Sequence, residues 1–301
     1  MYQNRSRRFT NTRPARAPYG GGNNRGNRSR QPKKAYIHPS KFIKSARPVK
    51  METYEPLHQF ADFKIEPLLK QNLTAMGFST PSPIQDQTIP LGLEKADVVG
   101  IANTGTGKTA AFAVPMINRL LTEKGSKAII LAPTRELAQQ IEQQCREIGK
   151  KTGLFGAVLI GGAAMGPQLG DLRKKPQIVI GTPGRIKDHL ERGSLDLSSF
   201  NIVVLDEVDR MLDMGFVHDI REILSHVNSE RQSYYFSATL DGRVRGIISD
   251  FSPNAIHISV KSGETSENVE QNIVSYNSHS HKIEALHDIL IHGDTAKAII
   301  F

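Results

Sequence analysis

Ala102-Asn103-Thr104-Gly105-Thr106-Gly107-Lys108-Thr109 follows the apolar run Val98-Val99-Gly100-Ile101 and precedes Ala110-Ala111-Phe112-Ala113-Val114. A buried strand, a glycine-rich octapeptide and a helix start together make the setting of a phosphate-cradling loop. Glycines at 105 and 107 let the backbone turn N–H groups toward phosphate. The helix N-terminus adds partial positive charge, and Lys108 a mobile full one. Thr109 is then placed to offer its hydroxyl to Mg²⁺. The ligand implied is a nucleoside triphosphate. The strict pattern opens with glycine where this chain has Ala102, so the octapeptide alone leaves open a glycine-rich turn with an incidental Lys-Thr pair.

Outward from the loop, short apolar runs alternate with amphipathic segments. Strands are expected at 98–101, 128–131, 157–160, 178–180, 202–205, 234–236 and 256–260, and helices at 112–121, 136–148, 185–190, 217–227 and 242–250. Such alternation implies an α/β fold with a mostly parallel sheet covered by helices on both faces. Ligands sit at the carboxyl ends of such strands, where loops from several strands converge. The run 201–205 ends at Asp206 and Glu207. An aspartate there can hold Mg²⁺, usually through water, and the adjacent glutamate can orient or deprotonate an attacking water.

The formal net charge of +9 is unevenly spread. Residues 1–50 carry 14 Lys or Arg and no Asp or Glu, so the other 251 hold 25 basic (39 − 14) and 30 acidic side chains. A +14 tail, rich in Arg, Asn, Gly, Ser and Pro, precedes a −5 body; the tail is expected to be disordered. It suits non-specific attachment to a phosphate backbone; a protein partner or mere solubilisation are the other readings. A transit peptide would share the Arg-rich, acid-poor composition but not the glycines or the lack of amphipathic periodicity. No apolar run is long enough to span a membrane, and no signal-peptide h-region follows the start. Cys145, the only cysteine, permits no internal disulfide and reads as a passive thiol in a reducing, cytoplasmic setting.

The polar stretch 262–268 marks a linker, assigned to 261–275. An extended run at 271–276, a helix at 281–291 and an apolar strand at 298–301 follow. The expected organisation is a tail (1–50), a nucleotide-binding domain (51–260), the linker, and from 276 the start of a truncated second domain. His279 and His281 read as exposed histidines rather than metal ligands.

Asp206-Glu207-Val208-Asp209 resembles the signature of the DEAD-box RNA helicases, with Val208 in place of the usual alanine. Six further motifs follow the family's order: Gly77 to Gln85, like the Q motif; the phosphate loop; Pro133-Thr134-Arg135-Glu136-Leu137; Gly161-Gly162; Thr182-Pro183-Gly184-Arg185; and Ser237-Ala238-Thr239. The resemblance spans about 56–301 and implies a RecA-like P-loop NTPase domain, ATP and Mg²⁺ as cofactors, and RNA as partner. It assigns catalysis to Lys108, Asp206 and Glu207, and metal binding to Thr109 and Asp206. ATP binding falls to residues 102–109 with Gln85, whose amide would read adenine in a bidentate manner, and with Phe60, which either packs on the base or is a buried aromatic. Asp209, Ser237 and Thr239 would couple ATP use to strand separation. Pro133, Thr134, Arg135, Gly161, Gly162, Thr182, Pro183, Gly184 and Arg185 would grip RNA phosphates and sugars without reading bases. In the family a second RecA-like domain supplies an arginine finger, so this chain alone, expected to be a monomer, should hydrolyse little ATP. A short ATP-gated RNA clamp and a DNA translocase are the competing readings.

Overall fold

The computed structural model describes residues 38, 43, 54–260, 270–292 and 297–300. Apart from His38 and Ile43, the expected tail lies outside the described residues, as does the linker over 261–269. The chain divides into two compact units, Ser45–Glu270 and the remainder.

The larger unit is built on one seven-stranded sheet with every pairing parallel: β1 (Val98–Ile101), β2 (Ala128–Leu131), β3 (Gly156–Leu159), β4 (Ile178–Gly181), β5 (Ile202–Leu205), β6 (Gln232–Ser237) and β7 (Ile256–Ser259). The spatial order is β3-β4-β2-β5-β6-β1-β7. Central strands such as Ile202-Val203-Val204-Leu205 are apolar throughout because helices cover both faces. Successive residues alternate between two cores. Ile178, Ile202, Val204, Tyr234 and Phe236 enter one, with α1 (Pro67–Ala75), α2 (Pro83–Leu93), α3 (Lys108–Thr122) and α4 (Arg135–Ile148). Val179, Val203, Leu205 and Tyr235 enter the other, with α6 (Pro183–Glu191), α7 (Val208–Asp213), α8 (Val217–His226) and α9 (Gly242–Phe251). Among the described residues of this unit, the remaining helix is α5 (Met165–Arg173).

Every expected strand of this unit is present, with shifts of one or two residues at its ends. Helices α1, α2, α5 and α7 were not anticipated by periodicity. Helix α5 buries only Gln168, so it has no apolar stripe; α2 carries Pro90 in its interior, a residue that reads as a breaker; α7 has six residues.

In the smaller unit, the expected helix is α10 (His279–His292). The strand expected at 298–301 is corrected, whereas the run at 271–276 is expected only to be extended. Over 271–276 only Gln271 forms a bridge, and described residues 297–300 carry no strand assignment. An apolar run becomes a strand only when a neighbour completes its ladder.

Candidate functional site

The loop after β1 is fixed at both ends. Ala102 donates its amide to the Ser237 carbonyl at the end of β6, 3.1 Å away. Its methyl is buried in the core, so alanine is accommodated where the strict pattern has glycine. Gly105 and Gly107 adopt φ of 79° and 88°, in the left-handed region that favours glycine. A Cβ at Gly107 would also fall into the Gln85 amide. Helix α3 starts at Lys108, and no side chain caps it, whereas Thr134 caps α4 by accepting from the Leu137 amide. The first-turn amides of α3 have no intrahelical acceptors. They point out of the helix beside Lys108, whose buried Nζ donates to the Ala102 carbonyl at 3.2 Å.

Helix α2 braces this loop. Gln85 Oε1 accepts from the Ser82 amide at 2.9 Å, and its Nε2 donates to the Gly107 carbonyl at 3.0 Å. Ser82 Oγ donates to the Thr106 carbonyl at 2.7 Å. Gln85 keeps a second N–H and a second lone pair. Phe60 is 4% exposed, packed edge-on against Phe63 and Phe78 with centroids 5.6 and 5.1 Å away. Next to Gln85, the buried Asp86 accepts from Tyr54 Oη (2.6 Å) and the Leu57 amide (2.8 Å), and its other oxygen pairs with His58 Nδ1 (2.7 Å). This carboxylate ties residues 54–58 to the helix that carries Gln85. Ser82 lies within the Q-motif-like stretch 77–85 but has no role assigned to it from sequence, and Asp86 falls just outside that stretch.

Asp206 leaves the end of β5 and is 2% exposed. Burial pushes its carboxyl up to about 6; Lys108 pulls against this, and Glu207 adds to it. Glu207 is non-glycine backbone at φ 52° and ψ 55°, a conformation that costs of order 1 kcal/mol and tends to mark functional positions. Its amide donates to Asp206 Oδ1 at 3.0 Å, and Arg210 Nη1 reaches its carboxylate at 3.2 Å. Val208 is fully buried beneath them. Asp209 then turns to β6: its amide donates to Ser237 Oγ at 3.3 Å, and its Oδ2 accepts from the amide and hydroxyl of Thr239 at 2.8 and 2.9 Å.

The remaining candidates lie after β2, β3 and β4. Pro133 is buried, Thr134 caps α4, and Arg135 opens it, exposed. Gly161 and Gly162 follow β3. Thr182 and Pro183 begin α6, and Arg185 Nη1 donates to the Ala163 carbonyl at 3.1 Å. The sheet order sorts these loops. Strands β5, β6 and β1 are neighbours and bear Asp206 to Asp209, Ser237 and the glycine-rich loop 102–109; β3, β4 and β2 are neighbours and bear the second set. Both sets lie on the carboxyl edge of one parallel sheet.

A family model described as DEAD/DEAH box helicase matches residues 82–246, over half of the chain. The chain belongs to the DEAD/DEAH box helicase family. It is 44% identical over 214 residues to the DEAD-box ATP-dependent RNA helicase CshA of Bacillus licheniformis, covering 70% of this chain and 44% of that protein. It is 41% identical over 245 residues to the ATP-dependent RNA helicase DeaD of Buchnera aphidicola, covering 80% of this chain and 40% of that one. A crystal structure of a DEAD box protein from Methanococcus jannaschii superposes with a TM-score of 0.65 at 36% identity, over 77% of this chain and 63% of that one. The larger unit is thus a RecA-like domain, and the chain spans less than half the length of these two curated relatives. Among the described residues, no helix is long and apolar enough to cross a membrane.

Proposed function

We propose that this chain supplies the ATP-binding half of an ATP-dependent RNA helicase of the DEAD-box type, with the variant sequence Asp206-Glu207-Val208-Asp209. One observation carries the reading. Two adjacent groups of three strands deliver a triphosphate-type loop with two carboxylates, and a row of arginine, glycine and helix-start residues, to one sheet edge. The names of the relatives agree with it.

The donor set fits a magnesium nucleotide. Among the described residues, no three His, Cys, Asp or Glu gather into a metal cluster. The protein would therefore offer Asp206 and the Thr109 hydroxyl alone. Magnesium, which keeps several waters and takes its other ligands from phosphates, is held in this way. The uncapped start of α3 is the complementary anion site. When bound there, the metal ion would neutralise charge on the phosphate oxygens.

Within this reading, Lys108 and the amides of residues 103–109 would hold the phosphates, and Asp206 would help hold the metal ion. Glu207, held in its left-handed turn with Arg210 on its carboxylate, positions and deprotonates the attacking water. Gln85 presents its remaining N–H and lone pair to adenine, with Phe60 backing that end of the cleft. Asp209, Ser237 and Thr239 transmit the state of the nucleotide. Residues 133–135, 161–162 and 182–185 hold RNA phosphates and sugars without reading bases.

A second RecA-like domain, beginning at about 276 and preceded by a linker over 261–275, would close on ATP and supply an arginine finger worth about 10³ to 10⁵ in rate. The short coverage of the relatives and the separate unit that includes 271–301 support this organisation. The basic residues of 1–50 would attach the protein to RNA by counterion release. A cytoplasmic monomer completes the reading. The test is the ATPase rate of a protein extended by such a second domain, with single-stranded RNA and with DNA. Stimulation by RNA but not DNA is expected; equal stimulation by both would overturn the RNA assignment.

A further inference from the structure

Gly161 and Gly162 are equivalent in sequence and different in structure. An added Cβ at Gly161 would meet nothing within 4 Å, whereas at Gly162 it would fall inside the guanidinium of Arg135. Gly162 also has φ +72°. The planar head of Arg135 therefore lies directly on the bare Cα of Gly162. Among the described residues, no hydrogen bond or ion pair occupies that guanidinium, so its donors are available to a phosphate.

The loop bearing this seat is itself held from below. Gln168, 5% exposed on α5, donates through Nε2 to the carbonyls of Ile160 and Ala164, both at 3.2 Å. Its Oε1 faces His189 Nε2 at 3.4 Å, and His189 Nδ1 faces Ser194 Oγ at 2.8 Å. The Ser194 hydroxyl also donates to the His189 carbonyl at 3.0 Å, which ties this chain of contacts to α6. Arg185 adds the bond to the Ala163 carbonyl.

We propose that Gly162 is a positioning residue for Arg135: its missing side chain is the seat that aims the guanidinium at a nucleic-acid phosphate, and Gln168 with Arg185 fixes the height of that seat. The proposal rests on the RNA reading above and adds an order of dependence within it. Gly162 matters through Arg135 and not through a contact of its own.

A double-mutant cycle tests this in the 301-residue chain, by equilibrium binding of a fluorescein-labelled oligouridylate across a range of salt. Arg135→Ala should weaken binding about tenfold at low salt, as expected for loss of one charged hydrogen-bond donor. It should also reduce the slope of log K against log salt by about 0.7, one phosphate contact. Gly162→Ala should reproduce both changes, yet add nothing in the Arg135→Ala background. Gly162→Asn keeps the obstructing Cβ while tolerating the left-handed backbone; it should behave likewise if Gly162→Ala fails to fold. Gly162 substitutions that weaken binding equally with or without Arg135, or that leave the salt slope unchanged, overturn the proposal. Arg135→Ala binding like the unsubstituted chain, or an unsubstituted chain that binds no oligouridylate, overturns instead the RNA reading beneath it.

Discussion

Asp209 receives Thr239 twice on one carboxylate oxygen, from the amide at 2.8 Å and from the hydroxyl at 2.9 Å. Its own amide reaches Ser237 Oγ at 3.3 Å. The turn after β5 and the end of β6 are thus one hydrogen-bonded body. Thr239→Val keeps the shape and the amide bond but removes the hydroxyl bond, at a cost of about 1 kcal/mol measured by denaturant unfolding. In a protein extended by the second domain, strand separation should fall more than RNA-stimulated ATP hydrolysis. Equal falls in both would show that these contacts support hydrolysis only.

Asp206 concerns stability as well as chemistry. Its carboxyl is raised from 3.8 to about 6 by burial, so the folded state binds the proton more tightly than the unfolded one. The associated stability is complete below pH 4 and is lost as pH rises through 6. At pH 7 the buried charge then costs ~3 kcal/mol. Asp206→Asn, measured in EDTA, should raise the melting temperature at pH 7.5, and the gain should shrink as pH falls from 6 toward 4. A gain that stays constant with pH would argue against a buried charge at this position.

The opposite sign holds at Asp86. Burial pushes its carboxyl up, but hydrogen bonds from Tyr54, the Leu57 amide and His58 outweigh it and hold the pKa below 3.8. Its stabilisation is therefore present above that value and lost as pH falls below it. Asp86→Ala should cost about 2 kcal/mol at neutral pH by removing the buried acceptor of three hydrogen bonds. It should also open residues 54–58 to limited proteolysis, with the difference from the unsubstituted chain narrowing in acid. Unchanged proteolysis would show that the carboxylate does not tether that segment.

Val208 is fully buried in the core formed with α7, α8 and α9. Val208→Ala removes two methyl groups and should destabilise the domain by about 2 kcal/mol. ATP turnover should change by a few-fold at most, because Asp206, Glu207 and Asp209 keep their functional groups. Loss of turnover would mean that the valine sets the geometry of the carboxylates.

The sheet was legible because strands buried on both faces must be apolar throughout, as in Ile202 to Leu205, and the turn after β1 because the left-handed backbone at Gly105 and Gly107 favours glycine. Helix α5 was not legible, since a helix at the rim that buries one glutamine leaves no periodic stripe. Gln168, Ser82 and Asp86 were hidden for a related reason. Their importance comes from carbonyls and amides brought near by the fold, and a polar side chain in sequence does not disclose its buried partner. The difference between Gly161 and Gly162 likewise appears only once Arg135 is placed in space.

Whether the carboxylates after β5 act on a nucleotide held by the loop after β1 is decided by one rate. That rate is ATP hydrolysis with saturating single-stranded RNA by a protein extended through a complete second domain, with and without Glu207→Gln. Glu207→Gln should bind ATP as tightly as the unsubstituted protein and lose at least about 10²-fold in turnover, the scale of general-base catalysis; intact turnover would mean that Glu207 is not the base.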